Sequence, residues 1–273
     1  MYRVWPRHCS LTTTYSLYIM SEQNVESCFV AKLSHYVTLT DPEQKSVARL
    51  ERNQRQLQSQ QTLYATDALS DKVYVIKSGW MYSYRVSWKG ARQIVQLHFP
   101  GDTLGMHELL FSHRSVYCVA VEDVTVCPMP KTAISTLASE VPDIALLICS
   151  IATREQVVLW DLVQAISKMK AQDRLLYLLL YLLLYILHRL RITNHQMSDT
   201  FRLPLNQSAI GDMLGLTNVS ISNAFTALEA QGLVQRKHGY VQIHDVGKCS
   251  RQTEFIDRFS DLDISWLDRD NEY

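Results

Sequence analysis

"LPLNQSAIGDMLGLTNVSISNAFTALEAQGLV" occupies residues 203–234 and reads as two short helices around a glycine turn. Ile210, Leu214, Leu216, Ile221, Ala224, Phe225 and Leu228 fall where two steeply crossed helices would share an apolar contact. The first helix is expected from about Asn206 to Leu214, with Gly211 allowing close approach. Gly215 takes the turn, where a positive φ costs glycine little. Thr217 is placed as the N-cap of the second helix, its hydroxyl accepting from the amide at 219 or 220. Gly232 ends that helix as its C′ residue. A small residue at 211, a turn glycine four later and a β-branched residue six beyond that define a helix-turn-helix. The bland alternative is a helical hairpin inside an ordinary core.

Downstream, "LVQRKHGYVQIHD" (233–245) supplies a strand, a turn at His238-Gly239 and a returning strand. Its tip carries Arg236, Lys237 and His238, placed to meet phosphate. The outward residues at the start of the second helix are Thr217, Asn218, Val219, Ser220, Ser222, Asn223 and Thr226. Asparagine bonds adenine bidentately, serine serves either base type, and valine touches a thymine methyl. No arginine is present to grip guanine, so A·T-containing positions are favoured. The same polar set also suits a merely solvated helix face.

The 273-residue chain has 47% apolar and 20% charged residues, a globular balance, and a formal net charge of zero. That zero hides an uneven distribution. Residues 167–250 hold 9 basic and 5 acidic side chains, and residues 251–273 hold 3 and 7. The helix-turn-helix segment is therefore locally positive, by 9 − 5 = 4 charges, and the acidic tail cancels it. The six cysteines (9, 28, 118, 127, 149 and 249) show no CxxC pairing, which fits reduced thiols in a cytoplasmic protein and offers no zinc site. No metal or other cofactor is expected. The longest apolar run, "LLYLLLYLLLYIL" (175–187), would extend only ~20 Å as a helix, so it is expected to be buried in protein rather than to span a membrane. No secretory signal is visible at the start, and residues 1–22 are expected to be poorly ordered.

Upstream, residues 62–130 alternate with the two-residue period of half-buried strands. In "IVQLHF" (94–99), Val95, Leu97 and Phe99 are expected on one face and Ile94, Gln96 and His98 on the other. Turn signals at Ser78-Gly79, Lys89-Gly90, Pro100-Gly101-Asp102 and Gly105 separate the strands, as in a small barrel or β-roll. From Pro142 to about Met169 the period becomes helical. Ile144, Ile148, Ile151, Glu155, Val158, Leu162, Ala165 and Met169 step by four and three, the pattern of a coiled-coil seam. Leu146, Leu147, Val157, Leu159, Trp160 and Val163 form a second apolar surface that would cover the barrel. Two apolar faces require two partners, so the seam is expected to pair with a second copy. "SKMKAQDR" (167–174) is polar and hinge-like, and "RITNHQMSDT" (191–200) is loop-like.

With these motifs in order, the chain resembles the CRP/FNR family of bacterial transcription regulators over roughly residues 28–246. The resemblance is carried by "VIKSGWMYSYRVSWKGARQIVQLHFPGDTLG" (75–105), "KAQDRLLYLLL" (170–180) and the helix-turn-helix already quoted. It implies an α+β fold: an N-terminal cyclic-nucleotide-binding-like β-roll, a long dimerisation helix and a C-terminal winged helix-turn-helix. The expected division is 1–22, a β-roll sensor domain at 23–141, the dimerisation helix at 142–169, the DNA-binding domain at 170–247, and an acidic tail at 248–273. In that tail Phe255, Phe259, Leu262 and Trp266 stand at helical spacing and would pack on the body.

The resemblance further implies a homodimer on a palindromic promoter site in double-stranded DNA, with RNA polymerase as a further partner. The family positions matching Val219, Ser222 and Asn223 typically touch bases, with arginine usual where Asn223 stands. The cAMP-binding branch holds its ligand with a Gly-Glu pair and a later Arg-Ser. Here Glu108 and Arg114-Ser115 are the corresponding candidates, without the Gly-Glu pair and at a shorter separation. Cys127 resembles the roll cysteine of the iron–sulfur branch, but Cys28 alone matches its N-terminal set, and two thiolates are too few for a cluster. The other reading is a ligand-sensing regulatory subunit that docks on a protein through its helical domain. No nucleophile–base pair, phosphate-cradling loop or carboxylate cluster indicates an enzyme.

Overall fold

The computed structural model describes residues 27–190, 199–259 and 262–267, with the side chains of 187–190 left out. The segment 1–22, most of the loop expected at 191–200, and Cys9 lie outside the described residues.

Two short helices, α1 (Cys28–Leu33) and α2 (Asp41–Ala48), lead into eight strands: β1 (Arg55–Leu57), β2 (Thr62–Tyr64), β3 (Lys72–Ser78), β4 (Met81–Val86), β5 (Arg92–His98), β6 (Thr103–Leu104), β7 (Tyr117–Ala120) and β8 (Val124–Pro130). They form two antiparallel sheets, ordered β1-β8-β3-β6 and β2-β7-β4-β5. Leu57, Ile76, Met81, Leu104, Cys118 and Val126 fill the space between them. Both sheets are covered on their outer faces as well. Val73, Val75 and Met129 meet α1 and the start of the long helix, while Tyr82, Ile94, Leu97, Phe99 and Val119 belong to the core of the C-terminal half. Strands buried on both sides explain why β3 reads as an almost unbroken apolar run.

The parity expected for residues 94–99 is broken. Ser83 pairs with Gln96, whereas Tyr84 pairs with Ile94. This bulge turns Ile94 to the same side as Leu97 and Phe99, and sends Val95 toward the inter-sheet core.

After α3 (Thr132–Glu140) come α4 (Pro142–Lys168) and α5 (Ala171–Leu190). Only Met169 and Lys170 separate the two, so the polar hinge expected at 167–174 contracts to two residues. The faces of α4 are largely exchanged relative to the sequence reading, although Leu147 of the surface expected to cover the barrel is buried and Val157 is half-buried. Ile144, Ile148, Ile151, Leu162 and Ala165 of the expected seam are buried within the chain. Glu155, Val158 and Met169 are half-buried beside them. Leu146, Leu159, Trp160 and Val163 are exposed instead, Trp160 by 60%. The physical reason is that roll, α1 and α5 all lie on one side of α4, and the larger aliphatic stripe is drawn into that core. Helix α5 is buried on nearly every side from Leu175 to Leu183 because it lies between the roll and the C-terminal domain. Among the described residues no helix is long and apolar enough to cross a membrane.

The chain continues through β9 (Thr200–Arg202), α6 (Gln207–Leu214), α7 (Asn218–Ala230), β10 (Val234–Lys237), β11 (Tyr240–Ile243) and α8 (Val246–Thr253). The three strands form a sheet ordered β10-β11-β9. Beyond Thr253 the tail is irregular, not the helix its spacing indicates. Glu254 adopts a left-handed conformation (φ 50°). The Asp257 and Asp263 carboxylates accept from the amides of Phe259 and Ser265 at 2.9 Å each, local turns that compete with helix.

The tail still packs on the body. Phe255 meets Tyr177 at 4.8 Å between ring centroids, and Phe259 meets Tyr185 at 5.2 Å. Arg258 forks onto Asp161 of α4 at 2.8 and 3.1 Å. Leu267 is buried with Phe29 and Leu33 of α1. Leu262 and Trp266 face outward, and residues 260–261 and 268–273 lie outside the described residues.

Candidate nucleic-acid interface

Helix α6 starts where the Asn206 side chain accepts from the Ala209 amide at 2.8 Å. Gly215 then turns the chain with φ 65°. A Cβ at Gly211 would stand 2.5 Å from the Leu216 carbonyl oxygen, so the α6–α7 crossing needs glycine there. Helix α7 is capped by Thr217, whose hydroxyl accepts from the Ser220 amide at 3.2 Å. Ile210, Leu214, Ile221, Ala224, Phe225 and Leu228 are buried between the two helices and α5.

The opposite face of α7 is open. Thr217, Asn218, Val219, Asn223 and Thr226 are exposed, Val219 by 69%, and Ser220 and Ser222 are half-buried. Three hydroxyls are already engaged locally. Thr217 Oγ1 lies 2.9 Å from Ser220 Oγ, and Thr226 donates to the Ser222 carbonyl at 3.1 Å. That leaves Asn218, Val219, Ser222 and Asn223 as the side chains best presented to a surface fitted against α7.

The wing is a two-residue hairpin in which Lys237 pairs with Tyr240. Its turn residues His238 and Gly239 both have positive φ (49° and 81°), as the twist of such a hairpin demands. Sequence alone made Arg236 a phosphate contact. The structure shows it forked onto Glu229 of α7 at 2.9 and 3.0 Å and laid over the Phe225 ring at 4.1 Å. The same hydrogen bond holds the Glu229 carboxyl below the usual glutamate range. Arg236 thus clamps the wing to α7 with its charge largely answered, and Lys237 and His238 occupy the tip.

Several positioning groups were not visible in the sequence. Arg92 of β5 donates to Asp212 of α6 at 2.6 Å, and Gln93 donates to the Met213 carbonyl at 3.0 Å. Arg174 donates to the Met169 carbonyl at 2.8 Å and the Leu214 carbonyl at 3.3 Å, joining the ends of α4 and α6. Apart from Arg174–Met169, these pairs are distant in sequence, and no local pattern marks them.

The structure brings the three candidate effector residues together. Glu108 and Arg114 are buried and paired at 2.9 Å, with Ser115 bound to the other carboxylate oxygen. Arg114, in the sequence a candidate effector residue or a solvated loop arginine, is instead buried with its charge answered inside the protein. Removing one partner of such a buried pair costs about 3–5 kcal/mol. Cys118 and Cys127 are buried, and burial pushes their thiols up to about 12 and about 11. Among the described residues no three His, Cys, Asp or Glu side chains converge as a metal site.

Two family models match the chain: a cyclic nucleotide-binding domain over residues 54–140 and a Crp-like helix-turn-helix domain over residues 173–248. Together with the fold, they define a regulator that joins a nucleotide-sensor-type roll to a DNA-binding module. The chain is 26% identical over 224 residues to the anaerobic regulatory protein of Haemophilus influenzae, covering 81% of this chain and 84% of that protein. It is 25% identical over 220 residues to the fumarate and nitrate reduction regulatory protein of Escherichia coli K12, covering 81% and 86%. Among solved structures, FixK2 from Bradyrhizobium japonicum matches with a TM-score of 0.61 at 20% identity, over 73% of this chain and 96% of that one, a likeness of fold. These matches support the CRP/FNR family of transcription regulators as the family of this chain.

Proposed function

We propose that this regulator acts in the cytoplasm as a homodimer that reads a palindromic promoter site and works with RNA polymerase. The observation that carries this reading is the exposed face of α7, where Asn218, Val219, Ser222 and Asn223 project from a well-capped helix. Asparagine at 223 favours adenine, and Val219 favours contact with a thymine methyl. Lys237 at the wing tip meets the phosphate backbone, and Thr217, Ser220 and Thr226 add polar contacts at the margin. Arg236 supports the wing from behind.

The second copy is taken up by the exposed face of α4, where Leu146, Trp160 and Val163 fall at heptad-compatible spacing with Cys149 and Thr153. In this arrangement residues 23–141 form the effector-type domain, 142–169 the dimer helix and 170–247 the DNA-binding domain, with 248–273 as a tail. The effector is neither cAMP nor an iron–sulfur cluster. Arg114 is engaged by Glu108, and only Cys28 and Cys127 match thiol positions of the iron–sulfur branch.

The test is selection of duplex sites from a random pool, followed by gel shift at fixed salt. Asn223→Ala with Val219→Ala should weaken binding to the selected site by at least about tenfold while leaving non-specific binding nearly unchanged. Equal binding of the selected site by both proteins overturns the reading. Capture of no duplex by the wild type points to a protein-docking role for the helical domain.

A further inference from the structure

The loop joining β6 to β7 carries a closed set of charges at the heart of the roll. Glu108 is wholly buried. Its Oε1 accepts from the Ser115 backbone amide at 2.6 Å and from Ser115 Oγ at 2.7 Å, and its Oε2 accepts from Arg114 Nη1 at 2.9 Å. Arg114 is itself 2% exposed, lies over the Tyr64 ring at 4.3 Å, and donates through Nη2 to the Lys72 carbonyl. Its Nε has no partner among the described residues. A Cβ on Gly105 (φ 84°) would stand 2.5 Å from Nη1, so the guanidinium occupies space that only glycine leaves. Lys131 Nζ donates to the carbonyls of Glu108, Leu109 and Phe111 at 2.9, 3.2 and 2.7 Å, which fixes the segment presenting the carboxylate.

We propose that Arg114 and Ser115 form an oxyanion cradle whose ligand is the chain's own Glu108, so that a tethered carboxylate keeps the roll filled in place of a diffusible phosphate- or carboxylate-bearing effector. An ordinary ion pair needs one cation and one anion. Here a guanidinium N–H, a main-chain N–H and a hydroxyl from adjacent residues converge on both oxygens of one carboxylate, the donor set that suits an oxyanion. The aromatic floor excludes water and strengthens each of these bonds. Carboxylate and guanidinium stand six positions apart in the chain, and a tether that short gives an effective concentration in the millimolar range or above. A free anion at lower concentration does not displace it.

This inference deepens the reading of the roll as an effector-type domain and does not depend on DNA binding. The full-length protein and its Glu108→Ala and Glu108→Gln variants are titrated with inorganic phosphate and, separately, with acetate. Thermal unfolding and calorimetry are read against sodium chloride at matched ionic strength. The wild type should show no saturable response. E108A should melt lower, bind phosphate or acetate saturably, and recover part of its lost melting temperature. E108Q retains the side-chain shape but leaves the buried guanidinium unanswered. It should gain a response at least about tenfold weaker than that of E108A, and it decides the matter if E108A does not fold. Adding Arg114→Met to either variant should remove the response. A folded Glu108 variant that responds no more than wild type overturns the proposal, as does wild type binding phosphate as tightly as E108A. Neither readout involves DNA, so a failure here is distinct from a failure of the proposed DNA site.

Discussion

His98 shows how one buried side chain sets a pH response. It is 2% exposed and lies 2.8 Å from Ser83 Oγ, and burial lowers its pKa to about 4 from 6.5. The unfolded chain therefore binds a proton between those values that the folded chain refuses. Stability from this residue is complete above pH 6.5 and is lost as the pH falls toward about 4. Replacing it with asparagine should flatten the pH dependence of the melting temperature across that window, and an unchanged slope would count against the assignment. At Glu108, burial alone would raise the pKa, but the bonds from Ser115 and Arg114 hold it low, so its contribution also disappears in acid. Glu229 is a third case with a different readout. Glu229→Gln should release Arg236 toward phosphate and steepen the salt dependence of DNA binding by about 0.9 per subunit, measured as log K against log salt. An identical slope would show that the guanidinium does not reach the backbone once freed.

At the scale of elements, α4 carries the most consequential correction. Its periodicity announces two apolar stripes but not which one faces the body. The structure assigns the inner side to Ile144, Leu147, Ile148, Ile151, Leu162 and Ala165, and the outer side to Leu146, Leu159, Trp160 and Val163. The two stripes therefore respond differently to a charge. Trp160→Asp should yield a folded monomer, seen as halved mass in sedimentation with little change in circular dichroism. Leu162→Asp should lower the melting temperature of the protomer itself, because an unpaired carboxylate is placed among buried leucines. A dimeric Trp160→Asp protein would move the interface elsewhere. The helix-turn-helix was far more legible. Its caps, its turn glycine and the crowded position at Gly211 are local signals, and they lie where the spacing places them.

Across the whole molecule, one continuous core joins the roll to the C-terminal domain through α5, from Leu97 and Phe99 to Ile221 and Leu228. The Arg92–Asp212 pair and the Gln93–Met213 bond seal its edge. The tail ties the same parts together. Gln252 bonds Asp173 at 2.9 Å, Arg258 holds Asp161, and Phe259 and Leu267 are buried against α5 and the α1 region. Truncation after Glu254 removes two buried side chains, each worth about 1.5–3 kcal/mol, together with that ion pair. Differential scanning calorimetry should record a melting temperature several degrees lower. An unchanged melting transition would show that the tail is not part of the cooperative unit.

By itself the sequence determined what local chemistry controls: strand and helix periods, the capped helix-turn-helix, the two-residue wing turn, and the α5 run too apolar to face water. Tertiary structure decided whatever depends on which surface lies opposite. A bulge in β5 reversed the side chosen by Val95, the common core claimed one stripe of α4, and Glu229 took up the charge of Arg236. It also placed Glu108 in the grip of Arg114 and Ser115. Periodicity records that a face is apolar or a residue charged. The partner that satisfies it is brought near only when distant segments pack, and that packing is settled by the free energy of the whole core.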